Sequence, residues 1–186
     1  MMIEIDEQIY EGRPENPEGR LEKELRVYDL LDSLEIAYQR VDHGAAMTIE
    51  DCQGVDQLLG IDICKNLFLT NSQKTKFYLL LMPGDKRFVT KEFCKQIQSP
   101  RLSFGSSELM EELLDLTPGS VSIMGLMNDV DNRVQLVIDQ DVYREDAFGC
   151  HPCINTTSLK MKASDVWEKF LPAVHHEPMF VDLKGE

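Results

Sequence analysis

Fourteen consecutive residues, Phe148 to Met161, hold a glycine, an imidazole, a proline, an amide and three hydroxyls. A core strand has no use for so many polar groups beside a fixed backbone bend. A wall that holds a polar substrate in one pose needs donors, acceptors and little freedom. His151 suits proton transfer or a substrate contact, and equally a structural bond to neighbouring backbone. Asn155 can bind substrate or close an Asx turn. Outside this stretch, Lys65 stands just before the apolar run Leu67-Phe68-Leu69. A lysine held there can present a fixed positive charge to a polarised carbonyl, the alternative being a solvated surface charge. The loop Pro118-Gly119-Ser120-Val121-Ser122 can aim backbone N–H groups at a carbonyl oxygen, although Pro-Gly also makes a plain turn. His43 beside Gly44 is a turn residue or a pocket rim.

Cys150-His151-Pro152-Cys153 raises two further chemistries, thiol–disulfide exchange and half of a zinc site. Redox motifs of this spacing open a helix, whereas Thr156 to Met161 reads as extended. Zinc needs more ligands, and Cys64, His175 and His176 show no matching pair spacing. No Gly-x-Ser-x-Gly elbow supports a serine nucleophile. The thiol and zinc readings both stay open, beside the expectation of a site with no metal and no cofactor.

The chain has 186 residues, enough for one domain with a sizeable core. No apolar run approaches the ~20 residues of a membrane helix. The acidic start, Met1 to Glu7, is unlike a secretory signal, and five cysteines make a poor disulfide framework, so a cytoplasmic location is expected. A net charge of −14 argues against general polyanion binding. The average hides an asymmetry. From Lys65 to Arg101 there are eight basic residues and two acids, a net +6, which leaves −20 on the remainder. Lys86, Arg87 and Lys91 in this segment are the candidates for contact with a phosphate backbone.

The elements that must position these residues follow from periodicity. Residues 1–20, with Gly12, Pro14, Pro17 and Gly19 among acids, read as a loosely docked arm, and 21–186 as the domain. Apolar positions from Leu21 to Leu34 predict an amphipathic helix, followed by a strand at Ile36–Val41. Thr48-Ile49-Glu50-Asp51 caps a helix ending near Gly60. Leu67–Leu69 and Phe77–Met82 form a hairpin of buried strands, with Lys65 and Asn66 at its entrance. A short helix spans Thr90–Gln98, and Ser107 caps another through Leu114. Val134–Ile138 is a strand, Ser164 caps a helix carrying Val166, Trp167, Phe170 and Leu171, and Met179–Leu183 is a last strand. The order lacks regular βαβ alternation, so the expected fold is α+β, a single domain with a mixed, mainly antiparallel sheet flanked by helices.

Taken together, Lys65-Asn66-Leu67-Phe68-Leu69, Pro118–Ser122 with Gly125-Leu126-Met127-Asn128-Asp129, and His151-Pro152-Cys153-Ile154-Asn155 resemble one family in order and spacing. It is the YbaK/ProX group of aminoacyl-tRNA deacylases, related to the editing domain inserted in bacterial prolyl-tRNA synthetases. The likeness runs from about Leu21 to Leu183 and is strongest with the free-standing alanyl-tRNA(Pro) deacylases. The resemblance implies hydrolysis of the ester joining a wrong amino acid to the 3′ end of tRNA(Pro), with prolyl-tRNA synthetase as a partner. It places the essential lysine on Lys65, the pocket-lining glycine loop on Gly119 to Ile123 and the histidine on His151. The expected pocket lining is His43, Asn66, Ser120, Val121, Ser122, Ile123, Met124 and Asn155. The family's Gly-x-x-x-Pro loop ends here in Ile123, and its early His-Pro is His43-Gly44. Both departures bear on pocket shape, and so on whether alanine, cysteine or another aminoacyl group is removed. A non-catalytic tRNA- or synthetase-binding module on the same fold is the reading from another class.

Overall fold

The computed structural model describes residues 2–186; Met1, the first residue of the arm, lies outside them. Its strands are β1 (Tyr10–Glu11), β2 (Tyr38–Asp42), β3 (Lys65–Asn71), β4 (Phe77–Met82), β5 (Leu102–Phe104), β6 (Val134–Asp139), β7 (Ala147–Cys150), β8 (Thr157–Lys162) and β9 (Met179–Val181). The helices are α1 (Glu22–Ser33), α2 (Gln53–Leu59), α3 (Thr90–Gln96), α4 (Ser107–Leu114), α5 (Gln140–Tyr143), α6 (Ala163–Asp165) and α7 (Leu171–Ala173), the last two joined by a π-helical stretch, Val166–Phe170. A 3-10 turn covers Ile123–Asn128.

The run Phe77–Met82 is apolar throughout, so both of its faces need cover. Accordingly β4 sits at the centre of a five-stranded sheet ordered β5-β3-β4-β6-β9, antiparallel to β3 and parallel to β6. A second sheet, β1-β2-β8-β7, is antiparallel throughout. The α+β single domain is as expected, but its strands divide between two sheets. The division follows from pairing: β8 takes β2 and β7 as neighbours, and none of these strands joins the β4 sheet.

Alternation of side chains along each strand fixes what lies on each face. Phe77, Leu79 and Leu81 enter the main core between the sheets, with Tyr28 and Leu31 of α1 and Leu159 and Met161 of β8. Leu80 and Met82 point the other way and pack with Phe93 of α3, Val137 and Val181. Val41 of β2 packs with Val55 and Leu59 of α2 on the outer face of the smaller sheet.

Three local readings shift. The arm is docked, not loose: Tyr10 and Glu11 pair with Arg40 and Gln39, and Ile5 bridges His43. The glycines and prolines that suggest looseness are confined to residues 12–19, whereas Ile3 and Ile5 reach small apolar clusters beneath. The cap of α4 is Ser106, whose Oγ accepts from Leu109 N at 3.2 Å. Ser164 caps nothing, because β8 runs straight into α6 and Ala163 N donates to Asp146 O.

Asp42, at the end of β2, ties arm, α1 and β8 together. It accepts from Arg20 at 2.9 and 3.1 Å, from Thr157 Oγ1 at 2.9 Å and from Arg40. Burial alone would raise its pKa, but these donors outweigh it and hold it at about 2. Its contribution is therefore complete above the unfolded value near 3.9 and lost as pH falls through about 2. Asp42→Asn should cost about 1.5–3 kcal/mol at neutral pH. Its stability, followed by circular dichroism, should change less with acid across that window than the parent's does.

Candidate active site

Gly149 lets the chain before β3 lie close on β7. A methyl group there would fall 2.2 Å from Ile61 Cδ1 and 3.1 Å from Ile63 Cγ1, so a side chain at this position would push the two isoleucines aside. Lys65 leaves two residues after Ile63, and His151 two residues after Gly149. The entrance of β3 and the polar stretch after β7 thus share one end of the molecule. The turn at Gly84 packs against the chain before β3, a methyl there lying 3.3 Å from Ile63 O.

His151 is buried, with Nδ1 3.0 Å from Thr157 O and 3.3 Å from Ser158 Oγ. A carbonyl only accepts, so Nδ1 carries the proton and Nε2 the lone pair. His43 Nδ1 likewise donates to Gly44 O at 2.7 Å, leaving Nε2 to accept from Ser158 Oγ at 2.8 Å. The ring centroids lie 6.0 Å apart. Burial pushes His43 below its usual pKa and His151 down to about 4, the neighbouring His43 adding to the fall and the bond to Thr157 opposing it. Both imidazoles are neutral at physiological pH.

The glycine loop closes over this pair. Ser122 Oγ donates to His151 O at 2.6 Å and accepts from Met124 N at 3.1 Å. Gly119 has φ +88°, and a Cβ there would meet Met47 Sδ at 2.9 Å and Asn155 Nδ2 at 3.3 Å. Both the left-handed backbone and the close approach call for glycine. Asn155 Nδ2 lies 3.1 Å from Met47 Sδ, and its carbonyl accepts from Ala46 N. The structure therefore brings together His43, Gly119, Ser122, His151 and Asn155. Ser120 is spent on the turn, donating to Thr117 O at 2.8 Å, and Val121 is half-buried against the main core.

Ile123 and Met124 are fully buried in that core. They brace the loop from behind, a correction to the reading that their side chains line or gate the pocket. The Asn128-Asp129 pair is likewise scaffold. Asn128 Nδ2 donates to Leu114 O, while Asp129 accepts from Arg133 N and Val134 N and lies 2.9 Å from His176 Nε2.

Lys65 behaves differently from the cluster. Its side chain rises with Leu67 and Leu69 from the α3 face of the sheet, and Nζ donates to Lys86 O at 2.5 Å. Asn66 points to the other face. Its Nδ2 donates to Cys64 O, while Oδ1 is buried with no partner. Lys86 Nζ is held between Asp139, at 3.1 Å from both oxygens, and Asp141 at 2.8 Å. That occupancy takes Lys86 out of the expected phosphate contacts. Arg87, Lys91, Lys95 and Arg101 are exposed, and none enters a salt bridge among the described residues. Lys91, Lys95 and Arg101 line one concavity of about 440 Å³ with Thr90 and Ser99.

The thiol readings lose their chemical basis. Cys150 and Cys153 are 1% exposed, and burial first of all pushes both thiols up, Cys153 to about 12. A redox cysteine needs the opposite shift. Among the described residues no three His, Cys, Asp or Glu side chains are grouped to hold a metal, and no helix is long and apolar enough to cross a membrane.

Residues 43–168, from the first histidine of the site to the helix after β8, match the model of the aminoacyl-tRNA editing domain. The chain belongs to that family. The editing domain here is 32% identical over 144 residues to the prolyl-tRNA editing protein ProX of Acetoanaerobium sticklandii, covering 77% of this chain and 87% of the relative. It is 26% identical over 166 residues to prolyl-tRNA synthetase associated domain-containing protein 1 of Danio rerio, covering 88% of each. Its fold superposes, with TM-score 0.63 and 16% identity, on the crystal structure of a candidate trans-editing enzyme for prolyl tRNA synthetase, over 88% of this chain and 98% of the other. Sequence reasoning missed Met47 and Ser158, which the structure adds to this cluster. The hydrophobic-to-polar switch at Thr156-Thr157-Ser158 was the available signal for the second.

Because His151 is held neutral, its contribution to stability is fully present above its unfolded pKa near 6.5 and is lost as pH falls through about 4. NMR of the labelled imidazole should show a folded-state midpoint near 4. A midpoint at about 6 or above would contradict the burial argument.

Proposed function

We propose that this editing domain hydrolyses mischarged tRNA(Pro) in trans, with alanyl-tRNA(Pro) as its substrate. The observation that carries the reading is the convergence of the Gly119 loop with neutral His151 and Asn155, in a chain of the aminoacyl-tRNA editing family. Such a cluster offers an ester backbone donors and an unprotonated imidazole. The relatives named for prolyl-tRNA editing and for association with prolyl-tRNA synthetase support the tRNA(Pro) assignment and that synthetase as the source of substrate.

In this mechanism water adds to the ester carbonyl, the bond to the terminal ribose oxygen breaks, and that oxygen takes the proton. Lys65 Nζ, with two donors beyond the one given to Lys86, stabilises the charge that develops on the carbonyl oxygen. Backbone amides of the loop around Gly119 add to it. His151 Nε2, neutral and unprotonated, accepts from the attacking water, which the substrate's own ribose hydroxyl helps to place. Orientation supplies most of the gain, since the ester is already activated. Small side chains are selected by a wall of backbone and Met47 around Gly119, stiffened by Ile123 and Met124 from the core side.

Lys65→Ala should lower kcat by about 10²–10³, the scale for one lost charge-stabilising donor, with the fold intact by circular dichroism. Full turnover would overturn the mechanism, and tRNA binding without turnover in the parent protein would favour the binding-module reading. A panel of Ala-, Cys-, Ser- and Pro-tRNA(Pro) decides the substrate, with Ala expected first and Pro spared.

Phosphate contacts fall to Arg87, Lys91, Lys95 and Arg101. Reversing Lys91, Lys95 and Arg101 together should raise KM and flatten its dependence on salt by about 0.7–0.9 per lost contact, leaving kcat in place. An unchanged KM and slope would move the docking surface elsewhere.

A further inference from the structure

Pairing register lines up one row of residues across the mouth end of the larger sheet. Lys65 faces Met82, Leu81 faces Ile138 so that Met82 adjoins Asp139, and Asp139 faces Val181. By alternation, Lys65, Met82, Asp139 and Val181 all rise from the α3 face, so Lys65 and Asp139 stand two strands apart, about 10 Å. Neither side chain closes that gap alone. Lys86 closes it with two different groups: its ammonium sits 3.1 Å from both oxygens of Asp139, and its carbonyl accepts from Lys65 Nζ at 2.5 Å.

Asp139 is 0% exposed, and its remaining capacity is filled by Asp141 N at 2.9 Å and Leu183 N at 3.2 Å. A buried carboxylate with this many donors has one position. Lys86, 19% exposed by side chain, is drawn to it across the turn that begins at Pro83. Asp141, half exposed, adds a second carboxylate at 2.8 Å. The backbone of Lys86 is thereby fixed at the point where the Lys65 ammonium must be held.

From this geometry we infer that Lys86 and Asp139 are positioning residues for Lys65, an anchored clamp that sets where its ammonium stands at the mouth of the site. The inference rests on the reading of Lys65 as the charge donor. It reverses the expectation for Lys86, which acts through a neighbour and not on tRNA phosphate. Neither residue touches substrate. Their effect is on the placement of one nitrogen, and a misplacement of about 1 Å is enough to cost two orders of magnitude in rate.

The test compares Lys86→Met, the neutralised double variant Lys86→Met/Asp139→Asn and Lys86→Arg, using full-length protein and alanyl-tRNA(Pro) under saturating and subsaturating conditions. The double variant leaves no buried charge uncompensated, so it guards against simple misfolding of the single one. The expected result is a kcat lower by about 10–100-fold in both neutral variants, with KM and its salt slope unchanged and partial recovery in Lys86→Arg. A second readout needs no turnover: labelling with an amine-acylating reagent, read by mass spectrometry, should modify Lys65 faster in the neutral variants than in the parent. A raised KM with a flatter salt slope would make Lys86 a tRNA contact and overturn the inference. Unchanged kcat together with unchanged Lys65 labelling would overturn it as well. Failure of the underlying reading shows separately, as full activity in Lys65→Ala.

Discussion

The close approach of Ile61 and Ile63 to Gly149 is the constraint on which the site depends. The segment before β3 rests closely on β7, where any side chain in place of Gly149 would displace Ile61 and Ile63. That contact sets Lys65, Asn66 and His151 at one end, and the turn at Gly84 and the loop at Gly119 build outward from it. The energetic work is done elsewhere, by Phe77, Leu79, Leu81 and their partners between the sheets. Gly149 contributes no buried area; it contributes the relation between elements that do.

The same division runs through the motif residues. Gly119, Ser122, His151 and Asn155 converge, whereas Ser120, Asn128 and Asp129 are consumed by turns and backbone bonds. Residues that stand together in a sequence pattern need not act together in space. Some meet in one cluster, and others only hold the chain that carries it. Histidine illustrates both uses, since His151 faces the loop of the site while His176 is buried against Asp129 on the scaffold side.

Much of this was legible in the chain. Period-two and period-3.6 patterns located the β3–β4 hairpin, α1, α2 and β6, because each has one or two faces that must be buried. Lys65, Gly119, His151 and Asn155 stand out only through their joint resemblance to the editing family, and of these the structure brings Gly119, His151 and Asn155 together. The split into two sheets was not legible, since pairing partners are chosen by contacts far apart in sequence, such as Val41 with Ser158. Nor was the fate of individual charges. Lys86 and Lys91 look alike in sequence, and only Asp139, more than fifty positions from Lys86, separates them. Met47 escaped for a similar reason: an exposed methionine carries no signal until a glycine with positive φ is found beneath it.

The placement of β9 has a consequence for the order of folding. Leu183 N completes the shell of Asp139, and Val181 packs with Leu80 and Met82 in the apolar layer beneath the lysine row. The β3–β4 hairpin is a local pairing, whereas β9 reaches its place only once the long stretch between Met82 and Met179 has closed on itself. A folding chain can therefore form its hairpin early and completes this edge of the larger sheet late.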